Sequence, residues 1–487
     1  MRPTTLTTPE FTKDSKEIDY SSEKGTFDYI SLTHKYRRAE MQNKPENWHE
    51  LSIDEKRTMR LDAWVNSAEH IQFESPEAKH NYIERITLFR DAVEMKKAPA
   101  RVPVSSMAGG FAIQCAGLHQ IDAMYDRWED VAEAIIQFQR DFEPDSSSMV
   151  FFMSGASMEL LGLTSMKWPG YGLPNDSTYQ ALEVEYMTED EYDHFINDPS
   201  DFMLRFYLPR ANSALKGLSK LPQFLFEAMG MGGVGRAFTD PEVQEAIDIM
   251  KKSVELSMIP FQISFKMNNR LASMGYPSMD GMPGGPAGSA PFDFLGDQLR
   301  GTKGIMIDLH RNPEKIIAAC EKILTLMPDP DVPLGGSPLI MIPLHKGDDA
   351  HMSDKQFEKF YWPTFRGSLL KLINEGMIPV PFAEGSFNRR LEIISDLPPK
   401  STVWFFDQTD MHRAKDVLGD NFCLMGNVPI SIIKTGTADQ ATEYCKDLIE
   451  YCGRDGGFIL SPGCQIDQGK EETVRALVNV GKEHLPS

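Results

Sequence analysis

Five residues able to bind a metal, move a proton or hold an oxygen stand just after apolar runs in the C-terminal third of the chain. They are His345 in LHKGDDAH, Glu384 in FAEGS, Asp407 in FFDQTD, Asn427 in GNVP and Cys464 in SPGC. A structural protein would not need an imidazole, two carboxyls, an amide and a thiol at equivalent places after successive hydrophobic segments. A thiolate from Cys464, a carboxylate from Glu384 and an imidazole from His345 would give a zinc ion three ligands and leave a fourth position open for substrate. His412, Asp407 and His351 are alternatives for the third place. Glu384, flanked by Phe382, Ala383 and Gly385, is expected to be partly desolvated, which disfavours its charge unless it is paired, metal-bound or protonated. Glu384, Asp407 and Asn427 are the candidate catalytic residues. The plainer alternatives stay open: Cys464 as a small packed residue, His345 as a loop histidine beside Asp348 and Asp349, and Asp407 as one half of an internal ion pair.

The elements that must carry these residues are legible from periodicity. Apolar runs at Leu339–Leu344, Ile378–Phe382, Val403–Phe406, Phe422–Met425 and Phe458–Leu460 are each followed by a polar or glycine-containing turn and, in most cases, a helix. Strand-then-helix repeats of this kind predict a parallel sheet. Ser353 and Thr437 are placed to cap helices that stop near Gly376 and Gly453. Short strands buried on both faces fit a closed α/β barrel, the TIM (β/α)8 type, better than an open sheet. In such a barrel the active site is built just after the strands, which is where the five residues lie.

Upstream, Trp128, Ala132, Ile135, Phe138 and Phe142 mark a long amphipathic helix, and VFFMSG reads as a buried strand. Residues 155–291 mix helical text with Gly/Pro-rich stretches such as MGMGGVGRA and YPSMDGMPGGPAGSAP, and large strand-to-helix loops are expected there. GMGGVG follows a helical stretch rather than a strand, so it is not read as a dinucleotide fingerprint. Met229, Met231, Met267, Met274, Met279 and Met282 are expected to pack those loops, or less simply to line a broad apolar pocket. Residues 1–97 are expected to form an N-terminal helical extension: a polar arm over about 1–25, then a helical cap that helps cover the barrel mouth. Residues 98–487 are assigned to the barrel.

Composition narrows the function class. The net charge of −21 over 487 residues argues against unassisted nucleic-acid binding. Charges are spread along the chain and no apolar run reaches membrane-span length. The first residues have no apolar secretory core, and the protein is expected to be cytoplasmic. The six cysteines include no CxxC pair, so a functional cysteine acts singly.

The segments GPAGSAPFDFLGDQLRGTKGIMIDLHRNPEKI, MSDKQFEKFYWPTF, LGDNFCLMGNVP and GGFILSPGCQIDQGKEETVRALV resemble, in order, signature segments of the uroporphyrinogen decarboxylase superfamily. The resemblance covers about residues 100–487 and implies a TIM barrel. It further implies a choice between true decarboxylases and cobalamin-linked methyltransferases. The arginine-rich stretch of the decarboxylases is matched here by SSMAGGFAIQCAG, without arginine, and their late histidine by Cys464. The Ser461-Pro462-Gly463-Cys464 turn resembles that of the zinc-using methyltransferases. Their His-x-Cys-Gly motif is altered to Phe382-Ala383-Glu384-Gly385, which sets a carboxylate where a thiolate would stand. The resemblance therefore implies a methyltransferase that takes a methyl group from a methoxylated, or other O- or N-methyl, small molecule. The acceptor would be the cobalt of a partner corrinoid protein, and zinc or an acid would activate the substrate oxygen. A homodimer is compatible with this. Two alternatives remain: a carboxy-lyase using Arg101, Arg205, Arg210 and Arg389 to bind carboxylates, and a catalytically inert partner in a corrinoid complex.

Overall fold

The computed structural model describes residues 44–97, 99–147, 152–230, 232–279 and 289–485. The expected arm over 1–25 lies outside these residues, as do Met231, Met282 and the first two residues of VFFMSG. Three short strands, β1 (Met166–Pro169), β2 (Gly172–Leu173) and β3 (Gln180–Ala181), make a small ribbon. The main sheet comprises β4 (Leu339–Leu344), β5 (Ile378–Ala383), β6 (Val403–Phe406), β7 (Cys423–Val428) and β8 (Phe458–Pro462). These pair in sequence order, and every pairing is parallel.

Backbone contacts carry the sheet round into a ring. Beyond β8, Val104 bridges Leu460 in parallel, with Leu460 N–H donating to Pro103 O and Ser105 N–H to Leu460 O, both at 2.9 Å. Asp145 N–H donates to Val104 O at 3.0 Å, and Ser147 N–H to Pro277 O at 2.8 Å. The Ser337 hydroxyl donates to Met279 O just before β4. The segments at 103–105, 145–147 and 277–279 thus occupy the three places between β8 and β4, giving the eight-position circuit of a TIM barrel.

Alternation along the strands separates two cores. Leu339, Ile378, Val380, Val403, Phe405, Cys423, Met425 and Ile459 face inward. Trp404, Phe406, Leu424 and Leu460 face the surrounding helices. The inner cluster includes Leu61, Trp64, Tyr82, Ile86 and Phe89, from α1 (Ile53–Asn66) and α2 (Pro76–Val93). Ser52 starts α1 with a reciprocal capping box to Glu55, and Ser75 caps α2 ahead of Pro76.

The position of this helical pair corrects the expectation of a cap over the mouth. The α1 and α2 side chains meet the first residues of the strands. Buried Arg60 donates to the carbonyls of Val332, Pro333 and Glu375, which lie in the loops leading into β4 and β5. The extension therefore plugs the N-terminal end of the barrel, because its apolar stripe completes the inner core there.

The middle of the chain sets helices among its glycine- and proline-rich stretches, as expected. After α3 (Trp128–Phe142), residues 241–273 form the 33-residue helix α4 (Pro241–Ser273), started by the Asp240 carboxylate on Glu242 N–H and continuing through Pro260. Val243, Ala246, Met258, Ile263, Met267 and Leu271 give it a buried stripe that outweighs the flanking glycines. Met267 and Met279 pack in the cores, whereas Met229 is 85% exposed. No helix among the described residues is long and apolar enough to cross a membrane.

If the plug is part of the core, Leu61→Ala should destabilise the chain by about 2–5 kcal/mol, read as a shift in the denaturation midpoint. A loss below about 0.5 kcal/mol would mean that the inner core closes without α1.

Candidate active site at the barrel mouth

The residues that end β4, β5, β6 and β8 meet at the end of the barrel opposite the plug. His345 follows β4 and is held on two sides. Its backbone N–H donates to Asp293 Oδ2 at 2.9 Å, and its Nδ1 lies 2.6 Å from Asp297 Oδ2. Its Nε2 is then directed toward Glu384, 3.9 Å from Oε1. The Asp297 hydrogen bond and charge outweigh burial and lift the His345 imidazole to about 9, so the ring is an imidazolium at neutral pH. Burial alone would raise Asp297, but its contacts to His345 and Lys346 hold it below the usual carboxylate range.

Asp293 fixes the frame beneath. Fully buried, it accepts from the N–H groups of His345 and Lys346 and from the Tyr361 hydroxyl at 2.7 Å. The buried Arg390 guanidinium braces the following loop through the carbonyls of Gly347, Asp348 and Met352. Both contacts limit where the His345 backbone can go.

Glu384 follows β5 with its side chain 43% exposed. Burial holds its carboxyl above the ordinary range; the His345 charge opposes this, and the carboxylates of Asp407, Asp293 and Asp297 reinforce it. The next residue, Gly385, has φ +78°, and a Cβ there would lie 2.6 Å from Asp348 Oδ2. Glycine therefore permits the turn that points the Gly385 N–H at Asp407 Oδ2, 3.1 Å away. Asp407, raised mainly by burial, also accepts from Gln408. A Cβ on Gly463 would lie 3.0 Å from Asp407 Oδ1, so glycine at that turn eases the close approach of the ends of β6 and β8.

Cys464 lies beyond Gly463. Burial, then the carboxylates of Asp407, Asp467 and Glu384, push its thiol up to about 12, so it stays protonated. Asn427 is buried and engaged: its amide donates to Asp407 O and Thr409 O at 3.0 and 2.7 Å, and its carbonyl accepts from Tyr444 at 3.2 Å. These bonds make Asn427 an anchor for the loop that presents Asp407 rather than a group facing substrate. His412, 2.8 Å from Asp447 and stacked on Tyr451, and His351, paired with Asp348, are held elsewhere.

The zinc expectation can be tested against this placement. His345, Glu384 and Cys464 are suitable donor types. Among the described residues, however, no group of three or more His, Cys, Asp or Glu side chains is placed to hold a metal ion. As arranged, the residues do not fit a zinc site.

The loop between β2 and β3 packs against residues 119–121. Ile121 N–H donates to Asn175 O at 3.0 Å, and the His119 and Asp176 side chains meet at 2.6 Å. Burial and then the carboxylates of Glu384 and Asp467 raise the Tyr179 phenol. The His119–Asp176 pair lines an open cleft of about 410 Å3 whose walls also include Gln114, Gln120, Asp467 and Gln468. Sequence reading missed Asp293, Asp297, Tyr179 and Asp467. Asp293 and Asp297 are four residues apart at a helix start, a spacing that sets both carboxylates on one face and could have flagged them.

Residues 279–484 match the family described as Uroporphyrinogen decarboxylase (URO-D). That span contains β4 through β8 and every residue of the His345, Glu384, Asp407 and Cys464 constellation. No curated protein matches the chain. Among solved structures, a methyltransferase from Methanosarcina mazei is similar at a TM-score of 0.47 and 17% identity, covering 82% of this chain and 98% of that one.

The Asp297–His345 pair has a signed pH consequence. Because folding raises the imidazole from 6.5 to about 9, its stabilisation is present in full below about pH 6.5 and is lost as pH rises through about 9. NMR titration should place the His345 ring midpoint near 9 and show it falling toward 6.5 in Asp297→Asn. A midpoint near 6.5 in the unaltered protein would contradict the pairing.

Proposed function

We propose that the chain demethylates a small methoxylated molecule, passing the methyl group to a corrinoid carried by a separate protein. The observation that carries this is Glu384, a half-exposed carboxyl held toward its protonated form at the barrel mouth with an imidazolium 3.9 Å away. Breaking a methyl–oxygen bond leaves charge on oxygen, and a neutral acid at that position supplies the proton as the bond opens. Glu384 gives its proton to the departing oxygen, His345 stabilises the carboxylate left behind, and Asp297 holds the ring in line. Asp407, fixed by Gly385 and Asn427, adds its charge to burial in shifting Glu384 toward its acid form.

The bound corrinoid would supply the nucleophilic cobalt that accepts the methyl group. It requires a methyl carbon reachable from outside, and the partial exposure of His345 and Glu384 is compatible with that. Zinc as the activator of oxygen is the alternative, and it would require His345, Glu384 and Cys464 to draw together from the positions described.

The family match also favours a carboxy-lyase. Against it, the arginines suited to gripping carboxylates are already paired: Arg101 with Asp145, Arg205 with Asp201, Arg210 with Glu191 and Arg389 with Asp354. A polycarboxylate would also meet Glu384, Asp407 and Asp467 at the mouth.

The test is turnover of an aryl methyl ether with a cob(I)alamin acceptor, read as phenol release. Glu384→Gln should lower kcat by about 10²–10⁴-fold with KM little changed. The rate of the unaltered protein should fall as pH rises through the Glu384 titration. No phenol release across a panel of methoxyarenes, together with carbon dioxide release from a carboxylated substrate, would replace this reading with the lyase.

A further inference from the structure

The cleft beside the mouth contains a carboxylate without a counter-group. Asp176 is matched by His119 at 2.6 Å, and Gln114 is bound in both directions to the Gly469 backbone at 3.0 and 3.2 Å. Asp467 differs. Among the described residues no hydrogen bond or ion pair reaches its carboxylate, which is packed against the backbone at Gly110 and raised by burial, with Lys434 opposing only at a distance. It faces two ways, into the cleft with Gln120 and Gln468, and toward the mouth, where its charge is felt by Tyr179 and Cys464.

A partly desolvated carboxylate without a partner is best offset by a group carrying both positive charge and N–H donors. The chain's net charge of −21 would draw cations toward the site and repel anions. We propose that this cleft is a substrate subsite for a protonated amine, anchored by Asp467, with the reacting group reaching the mouth beside Glu384. Resting on the demethylation reading for its role in catalysis, this narrows the methyl donor to a methoxylated compound that bears an ammonium tail. Asp467 is then a specificity-determining residue; Glu384 and His345 remain the groups that act on the ether.

Binding can be measured without turnover, using benzylammonium and benzyl alcohol as probes that share a ring and differ in charge. Calorimetric titration of the full chain at neutral pH and low salt should show the ammonium binding about 10-fold or more tighter than the alcohol. Asp467→Asn should abolish that preference, whereas Glu384→Gln should retain it. A second readout needs no variant: the ammonium should shift the methyl resonances of Ile113 and Leu118, which line the cleft. Equal binding of the two probes, a preference lost only in Glu384→Gln, or shifts absent from Ile113 and Leu118 would each overturn the subsite. Preference for the ammonium without demethylation would uphold the subsite and defeat the reaction assigned above. Demethylation without any preference would do the reverse.

Discussion

Parallel pairing in sequence order is the constraint on which the rest of the structure depends. A strand can lie parallel to the previous one only if the chain crosses back over the sheet, so every strand of the ring ends at the same rim. Chemistry-bearing residues separated by more than a hundred positions are thereby delivered to one mouth. The same alternation that seals the interior with Ile378, Val380, Val403, Phe405 and Met425 leaves the residues after the last strand position free of packing duty. The plug of α1 and α2 completes that interior from the other end, and so separates the part of the molecule that is packed for stability from the part that is open to solvent.

At the open end, electrostatics takes over from packing. Asp293, Asp297, Glu384, Asp407 and Asp467 cannot all be ionised cheaply in a partly desolvated rim. Asp297 stays charged because His345 and Lys346 compensate it. Asp293 serves as an acceptor for two backbone N–H groups and a tyrosine. Glu384 and Asp407 are both shifted upward, mainly by burial, and Cys464 remains a thiol in their field. A carboxyl shifted toward its acid form and an imidazolium therefore arise side by side from one distribution of charge.

Much of this was legible in the sequence, for definite reasons. The β4 to β8 runs are apolar on both faces and bounded by turns, so their boundaries fell within a few residues of the observed ones, and the polar residue after each run marked the rim. The helices capped by Ser353 and Thr437 carried local signals of the same directness. What escaped notice depends on tertiary partners. The side to which α1 and α2 pack is set by inner-core residues hundreds of positions away. The buried stripe of α4 was obscured by the glycine-rich text around it. Asp293 and Asp297 acquire meaning only when the β4 end arrives beside them, and Asp467 only when the turn after β8 meets residues 113–120 at the cleft. Asn427 was placed correctly at a strand end, but its engagement with the Asp407 and Thr409 carbonyls is invisible without the fold.

The central claim is that a carboxylic acid, rather than a metal ion, activates the leaving oxygen. The most direct measurement is elemental analysis of protein purified from zinc-supplemented cells, paired with the rate of phenol release before and after exhaustive chelation. The account predicts metal far below one ion per chain and a rate that chelation leaves unchanged. About one zinc per chain, with turnover lost on its removal and restored on its return, would contradict it and assign the activating role to a metal held by His345, Glu384 and Cys464.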